Sequence, residues 1–236
     1  MATQTPQSLQ DIQDAIHVIT SSDPNTPLPA DDQWKTRLQL INRAIARWER
    51  QDVYWRELFA TYTPDTIVAG QQSYSIGAPD FQSPASLVRV YMPNSTTPDY
   101  LDVIPASDMQ KYPGGNTGVC YFTGNNKEGF TLNLGWMPTA STQYTGATFN
   151  FDYNKSANRL SSPTDKPQMN DPDYIVFWAS SQELLFNGRT TLAELYLSDS
   201  DALMQGMKVT NEMVPIYGSL KIPDNDFVRD SDIWGE

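Results

Sequence analysis

The chain has 236 residues, 39% of them hydrophobic, which suffices for one large domain or two modest ones with cores of their own. Its 28 acidic against 16 basic residues leave a formal net charge of -12, so wrapping of nucleic acid on a broad basic surface is disfavoured. The single cysteine, Cys120, excludes an intrachain disulfide, and 17 prolines with 13 glycines imply many turns.

The first ten residues are polar and carry neither a basic start nor an apolar run, so no signal peptide is expected there. Thr5 followed by Pro6 predicts a capped helix start, after which Leu9, Ile12, Ile16 and Ile19 form one apolar stripe. His17, the only histidine, lies beside that stripe and reads as a packed or surface residue. Residues 21–30, with three prolines, form a loop that lets a second helix fold back. Asp31 or Asp32 caps this helix, which runs to about residue 50 or on to Phe59. Its stripe of Trp34, Leu38, Ile41, Ile45 and Trp48 is spaced four, three, four, three, and so lies on one helical face. Lys35, Arg37, Arg43, Arg47, Arg50 and Arg56 crowd the same segment.

From residue 61 the period changes from helical to alternating. Residues 66–69 and 73–76 read as strands of a hairpin around Gly70-Gln71-Gln72. Further strands are expected at 87–91, 101–104, 119–123, 130–134 and 147–153, with a short helix at 106–111 before a Pro113-Gly114-Gly115 turn. The uncharged stretch 129–151 is too rich in Thr, Asn, Gly and Ser to span a bilayer as a helix of about 20 apolar residues. After a polar linker at 161–169, Asp171-Pro172-Asp173 starts a third helix with Tyr174, Phe177, Ser181, Leu184 and Leu185 on one face and Gly188 at its end. A last helix over 190–214 carries Leu192, Leu195, Leu203, Met204 and Met207. Beyond Pro215 the chain reads as extended and acidic, with Asp224, Asp226, Asp230, Asp232 and Glu236.

The layout predicts an α+β fold, in which a discontinuous helical bundle built from the N- and C-terminal helices carries an inserted antiparallel β-sandwich or barrel. The expected division is 1–60 with 170–214 for the bundle, 61–169 for the β-rich insert, and 215–236 for an extended tail.

Chemistry is sparse. One His and one Cys supply neither a histidine-dependent triad nor a zinc site of nitrogen and sulfur ligands. Asp199 with Asp201, and Asp224 with Asp226, lack the glycine and distal glutamate of a calcium loop, so solvated surface is their expected role. Gly114 to Gly118 has no following lysine or helix and reads as a turn, not a phosphate cradle. Tyr91, Tyr100, Tyr112 and Tyr144 are of a type that stacks on sugars, although strand tyrosines usually pack. No catalytic residue, metal ligand or cofactor is expected.

The order of parts resembles the head-to-tail adaptor proteins of tailed phages, especially the tail tubular protein A type. The resemblance rests on Leu40-Ile41-Asn42-Arg43-Ala44-Ile45-Ala46-Arg47-Trp48, on Trp55 and Phe59, on Gly70-Gln71-Gln72-Ser73-Tyr74-Ser75-Ile76 followed by Asp80-Phe81, and on Ala193, Tyr196 and Met204 in the last helix. It implies a structural protein of the virion neck, made in the host cytoplasm. Such a protein forms a homo-oligomeric ring, commonly of twelve copies, between the portal protein and a tail tube or nozzle protein. DNA passes through its lumen without sequence-specific binding, and no membrane is involved.

Within that picture the basic residues Arg37, Arg43, Arg47 and Arg50 and the tail residues Phe227, Asp230, Ile233 and Trp234 are the expected interface positions, because a closed ring joins two different faces of one chain. The alternative from another class is a carbohydrate-binding β-sandwich module on a helical oligomerisation domain, as in a tail accessory or adhesion protein. The aromatic-rich middle supports it.

Overall fold

A computed structural model describes residues 7–213, apart from residues 22, 52, 64–65, 79, 82–86, 93–98, 112–117, 126 and 141–144. Helix α1 spans Leu9–Thr20 and buries Leu9, Ile12 and Ile16 as its stripe requires. Its cap is Ser8, not Thr5: Asp11 N–H donates to the Ser8 hydroxyl at 3.3 Å while Ser8 N–H donates to the Asp11 carboxylate at 2.8 Å, closing a capping box. The bond from the Ser8 backbone is the main reason the Asp11 carboxyl lies below its usual range. Thr5 and Pro6 fall outside the described residues.

Helix α2 spans Asp32–Glu49 and buries Trp34, Leu40, Ile41, Ala44, Ile45 and Trp48. It stops short of Phe59 because Trp55 turns back on it. The Trp55 indole N–H donates to the Trp48 carbonyl at 2.9 Å and the two rings stack at 5.1 Å. A 3-10 turn, Arg56–Leu58, then leads directly into strand β1, Phe59–Tyr62.

The other strands are β2 Ser73–Ile76, β3 Leu87–Met92, β4 Asp99–Val103, β5 Val119–Asn125, β6 Gly129–Leu134 and β7 Asn150–Asn154. They form one sheet in the order β1-β7-β3-β4-β5-β6-β2. The insert is therefore a single mixed sheet and not two packed antiparallel ones, since β4 and β5 run parallel at Asp102↔Val119 and Val103↔Cys120. A crossover is needed to join parallel neighbours, and the 3-10 helix Ala106–Lys111 lies within it. The hairpin expected around Gly70 does not form: β2 pairs with β6, and residues 66–69 contribute only the bridge Thr66↔Thr148. The Pro113-Gly114-Gly115 turn lies outside the described residues.

The sheet curls into a half-barrel whose two edges are bridged by a side chain. Gly77 N–H, just after edge strand β2, donates to the Tyr62 hydroxyl of the opposite edge strand β1 at 2.9 Å, and Tyr74 meets Phe149 edge-on at 5.1 Å. Val90, Leu132, Leu134, Phe149 and Phe151 fill the inner face. Phe81 plugs it from a loop, with ring centroids 5.3 Å from those of Phe130, Phe151 and Tyr153. Asp80 secures the plug by accepting the Tyr153 hydroxyl at 2.6 Å.

After β7 the chain returns to the helices before any helix begins. Asn42 exchanges two hydrogen bonds of 2.9 Å with the Leu160 backbone, and Leu9 N–H donates to the Asp165 carbonyl at 2.7 Å. Ala157, Leu160 and Met169 thus join the helical core. Helix α3, Asp173–Phe186, sits at its centre and packs on α1, α2 and α4, Thr190–Met213. Its buried residues surround it, and Ala179, Ser180 and Ser181 admit close neighbours. Gly188 ends it at φ +73, a left-handed value suited to glycine.

Three substitutions test the insert. Phe81→Ala should destabilise the protein by about 3–5 kcal/mol in a denaturant melt. Gly124 has φ +101 and a Cβ there would overlap the Gly129 carbonyl, whereas Gly129 at φ +89 faces open space. Gly124→Ala should therefore cost more than the roughly 1–3 kcal/mol of backbone strain, and Gly129→Ala should stay within it.

Candidate interaction surfaces

The basic residues of α2 divide by what they touch. Arg37 is 1% exposed and bonded on all sides within the chain. Its Nε and Nη2 donate to the two Glu183 carboxylate oxygens at 2.7 and 2.8 Å, a bidentate pair between α2 and α3. Nη2 also donates to the Thr20 hydroxyl at 3.0 Å, and Nη1 lies 3.2 Å from His17 Nδ1. A guanidinium only donates, so His17 Nδ1 accepts and its Nε2–H donates to the Asp23 carbonyl at 2.7 Å. Arg37 is thus engaged within the chain and almost fully buried, unlike Arg43 and Arg50, which are exposed. It ties α1, α2 and α3 together.

Arg47 is half-exposed and pairs with Asp201 of α4 at 2.9 Å. The burial of Tyr174 pushes its hydroxyl up to about 12 despite the nearby Arg47 charge. Arg43 and Arg50 are exposed and make no ion pair among the described residues. Arg56 belongs to the turn after α2, where the Asn211 side chain accepts from its backbone N–H at 3.1 Å and so anchors this turn to α4. Phe227, Asp230, Ile233 and Trp234 lie outside the described residues.

Where α3 passes into α4, an apolar tip points outward. Leu185 is 52%, Phe186 70%, Leu192 37% and Leu195 55% exposed. Leu185 was expected on the buried face of α3, but the centrally packed helix turns it out at its free end. Phe186 was missed. The run Leu184-Leu185-Phe186 is wider than one stripe and signals it, because consecutive helical residues cannot share a face.

On the outer face of the sheet, Arg89 pairs with Asp152, which also accepts the Thr61 hydroxyl at 2.6 Å. The guanidinium lies 5.3 Å from the Tyr91 ring and 5.9 Å from that of Tyr100, so Arg89 engages both tyrosines. Tyr112 and Tyr144 lie outside the described residues. Burial pushes the Cys120 thiol up to about 12, helped by the Asp102 charge, so it is not poised as a nucleophile. Among the described residues no group of three or more His, Cys, Asp or Glu is placed to hold a metal, and no helix is long and apolar enough to cross a membrane. A cleft of about 370 Å³ opens beside α4, lined among others by Trp48, Trp55, Glu57, Asp171, Gly206 and Thr210.

The different roles within α2 are measurable. Arg37→Ala leaves Glu183, whose side chain is 14% exposed, without its cation and should cost about 3–5 kcal/mol in chemical denaturation. Arg43→Ala should change stability by no more than about 0.5 kcal/mol.

Two comparisons bear on what these surfaces serve. A search of curated proteins returns no match. A protein-family model, SU10 adaptor protein, matches residues 7–211, and the chain belongs to that family of phage adaptor structural proteins.

Proposed function

We propose that this member of the SU10 adaptor family forms a closed ring, of twelve copies, between the portal protein and the tail tube or nozzle protein of a phage particle. The family match over residues 7–211 carries the proposal, and the unpaired surfaces of the helical unit support it. Each copy has a cationic patch at Arg43 and Arg50 and, elsewhere on the helices, the apolar tip at Leu185, Phe186, Leu192 and Leu195. Ring contacts join unlike faces, so two chemically different patches on one chain suit a closed ring better than a two-fold dimer.

In this arrangement the helices, with the strap 157–169 packed among them, dock on the portal and on neighbouring copies, while the β insert projects toward the tail. The tail 215–236 reaches a neighbour through Phe227, Ile233 and Trp234, with Asp230 offering a carboxylate to Arg43 or Arg50. With a net charge of -12, the lumen repels DNA phosphates, so the genome slides without adhering. The role needs no catalysis, because interfaces and channel wall perform it.

Electron microscopy of the purified chain mixed with portal tests the proposal. Rings at the tail-facing end of the portal are expected; chains that remain apart from the portal contradict it. Joint reversal, Arg43→Glu with Arg50→Glu, should abolish ring formation while leaving thermal unfolding unchanged, and undiminished rings would contradict the assignment of these two residues.

A further inference from the structure

We propose that the cleft between α4 and the turn joining α2 to β1 receives an arginine side chain from a neighbouring virion protein. The inference rests on the docking role proposed above, in that a virion partner supplies the arginine. The cleft's own chemistry selects that side chain.

One wall is aromatic. Trp48 and Trp55 stack at 5.1 Å with an interplanar angle of 28°, and both side chains are buried. The rim is acidic, for Glu57 and Asp171 line the cleft and neither forms an ion pair among the described residues. The Asn170 amide donates to one Glu57 carboxylate oxygen, while the other, Oε2, is buried with no hydrogen-bond partner. The indole N–H of Trp48, a residue 1% exposed, also lacks a partner. Burial, followed by the charge of Asp173, holds the Asp171 carboxyl above its usual range.

An arginine residue satisfies these groups together. Its planar guanidinium donates in a fork to carboxylate oxygens and lies flat on an indole, and its weak hydration makes entry into a half-closed cleft less costly than for an ammonium. Two carboxylates with no third acidic, histidine or cysteine side chain beside them among the described residues are a poor cage for a divalent cation, which takes six or more oxygens. A Cβ added at Gly206 would meet nothing within 4 Å, so the cleft has free space on this side. Gly206 lies one turn from Ala202 and from Thr210, so small side chains keep this side of the cleft low.

The probe is N-acetyl-L-arginine amide, titrated into the full chain and followed by the indole N–H signals in two-dimensional NMR, with N-acetyl-L-citrulline amide as the uncharged isostere. Saturable shifts of the Trp48 and Trp55 signals are expected, with citrulline at least about tenfold weaker, the value of one charge-assisted hydrogen bond. Glu57→Gln should weaken binding by a similar factor, and Gly206→Leu should fill the cleft and abolish binding without lowering the melting temperature. Absence of shifts, equal binding of citrulline or of the lysine amide, or indifference to Glu57→Gln would overturn the proposal. The arginine and citrulline titrations need no variant and are read whether or not rings form, so failure here is distinct from failure of the ring.

Discussion

The fold depends on one buried cation that the chain must neutralise from a distance. Arg37 is enclosed by its own helix and by α1, and the carboxylate that completes its pair, Glu183, comes from the far side of the β insert. An unpaired guanidinium at that depth carries a large desolvation penalty, so the native arrangement is one in which α3 has returned to meet α2. This constraint favours a particular register of three helices more than it adds stability, since an apolar trio of similar volume would pack as well. It also explains the placement of the sheet. An insert that leaves the bundle at Phe59 and returns through the 157–169 strap must have entry and exit side by side, and the pairing of β1 with β7 provides that.

Once Arg37 and Arg47 have partners within the chain, the remaining features divide naturally. Charges with intrachain partners hold the helices together, as Arg47 does with Asp201 and Arg159 with Glu49. Charges without them, at Arg43, Arg50, Glu57 and Asp171, lie at surfaces or in a cleft. The apolar tip between α3 and α4 is of the same kind, because a monomer gains nothing from exposing Phe186 and Leu195 there. Membership of an adaptor family is the ground on which we propose that another chain supplies their partners.

Much of this was readable in the sequence. The helices followed from their stripes and breakers, and six of the seven strands from alternation, because burial against a core imposes the period directly. Alternation is blind to strand direction, so the parallel pairing of β4 with β5 left no trace in it. Strand β1 was hidden because Phe59 follows the 3-10 turn with no loop between. Arg37 is the instructive case. Its residue type suggested solvent, yet it stands three after Trp34 and four before Ile41, on the buried stripe itself, and position outranked chemistry. Leu185 shows the converse, an apolar residue turned outward because it lies where α3 ends. The cleft beside α4 was not readable, since Trp48, Glu57, Asp171 and Gly206 come from three separate stretches of chain that only the fold brings together.

The central claim is that charges paired within the chain build the helical unit and unpaired groups join it to the particle. A cryo-electron microscopy map of the assembled neck, resolved to side chains, tests this most directly. The account predicts a ring of this chain between portal and tail, with Arg37 still on Glu183 and with Arg43, Arg50 and Phe186 covered by neighbouring chains. A neck in which those three residues face solvent, or in which Arg37 has exchanged Glu183 for a carboxylate of another subunit, would contradict it.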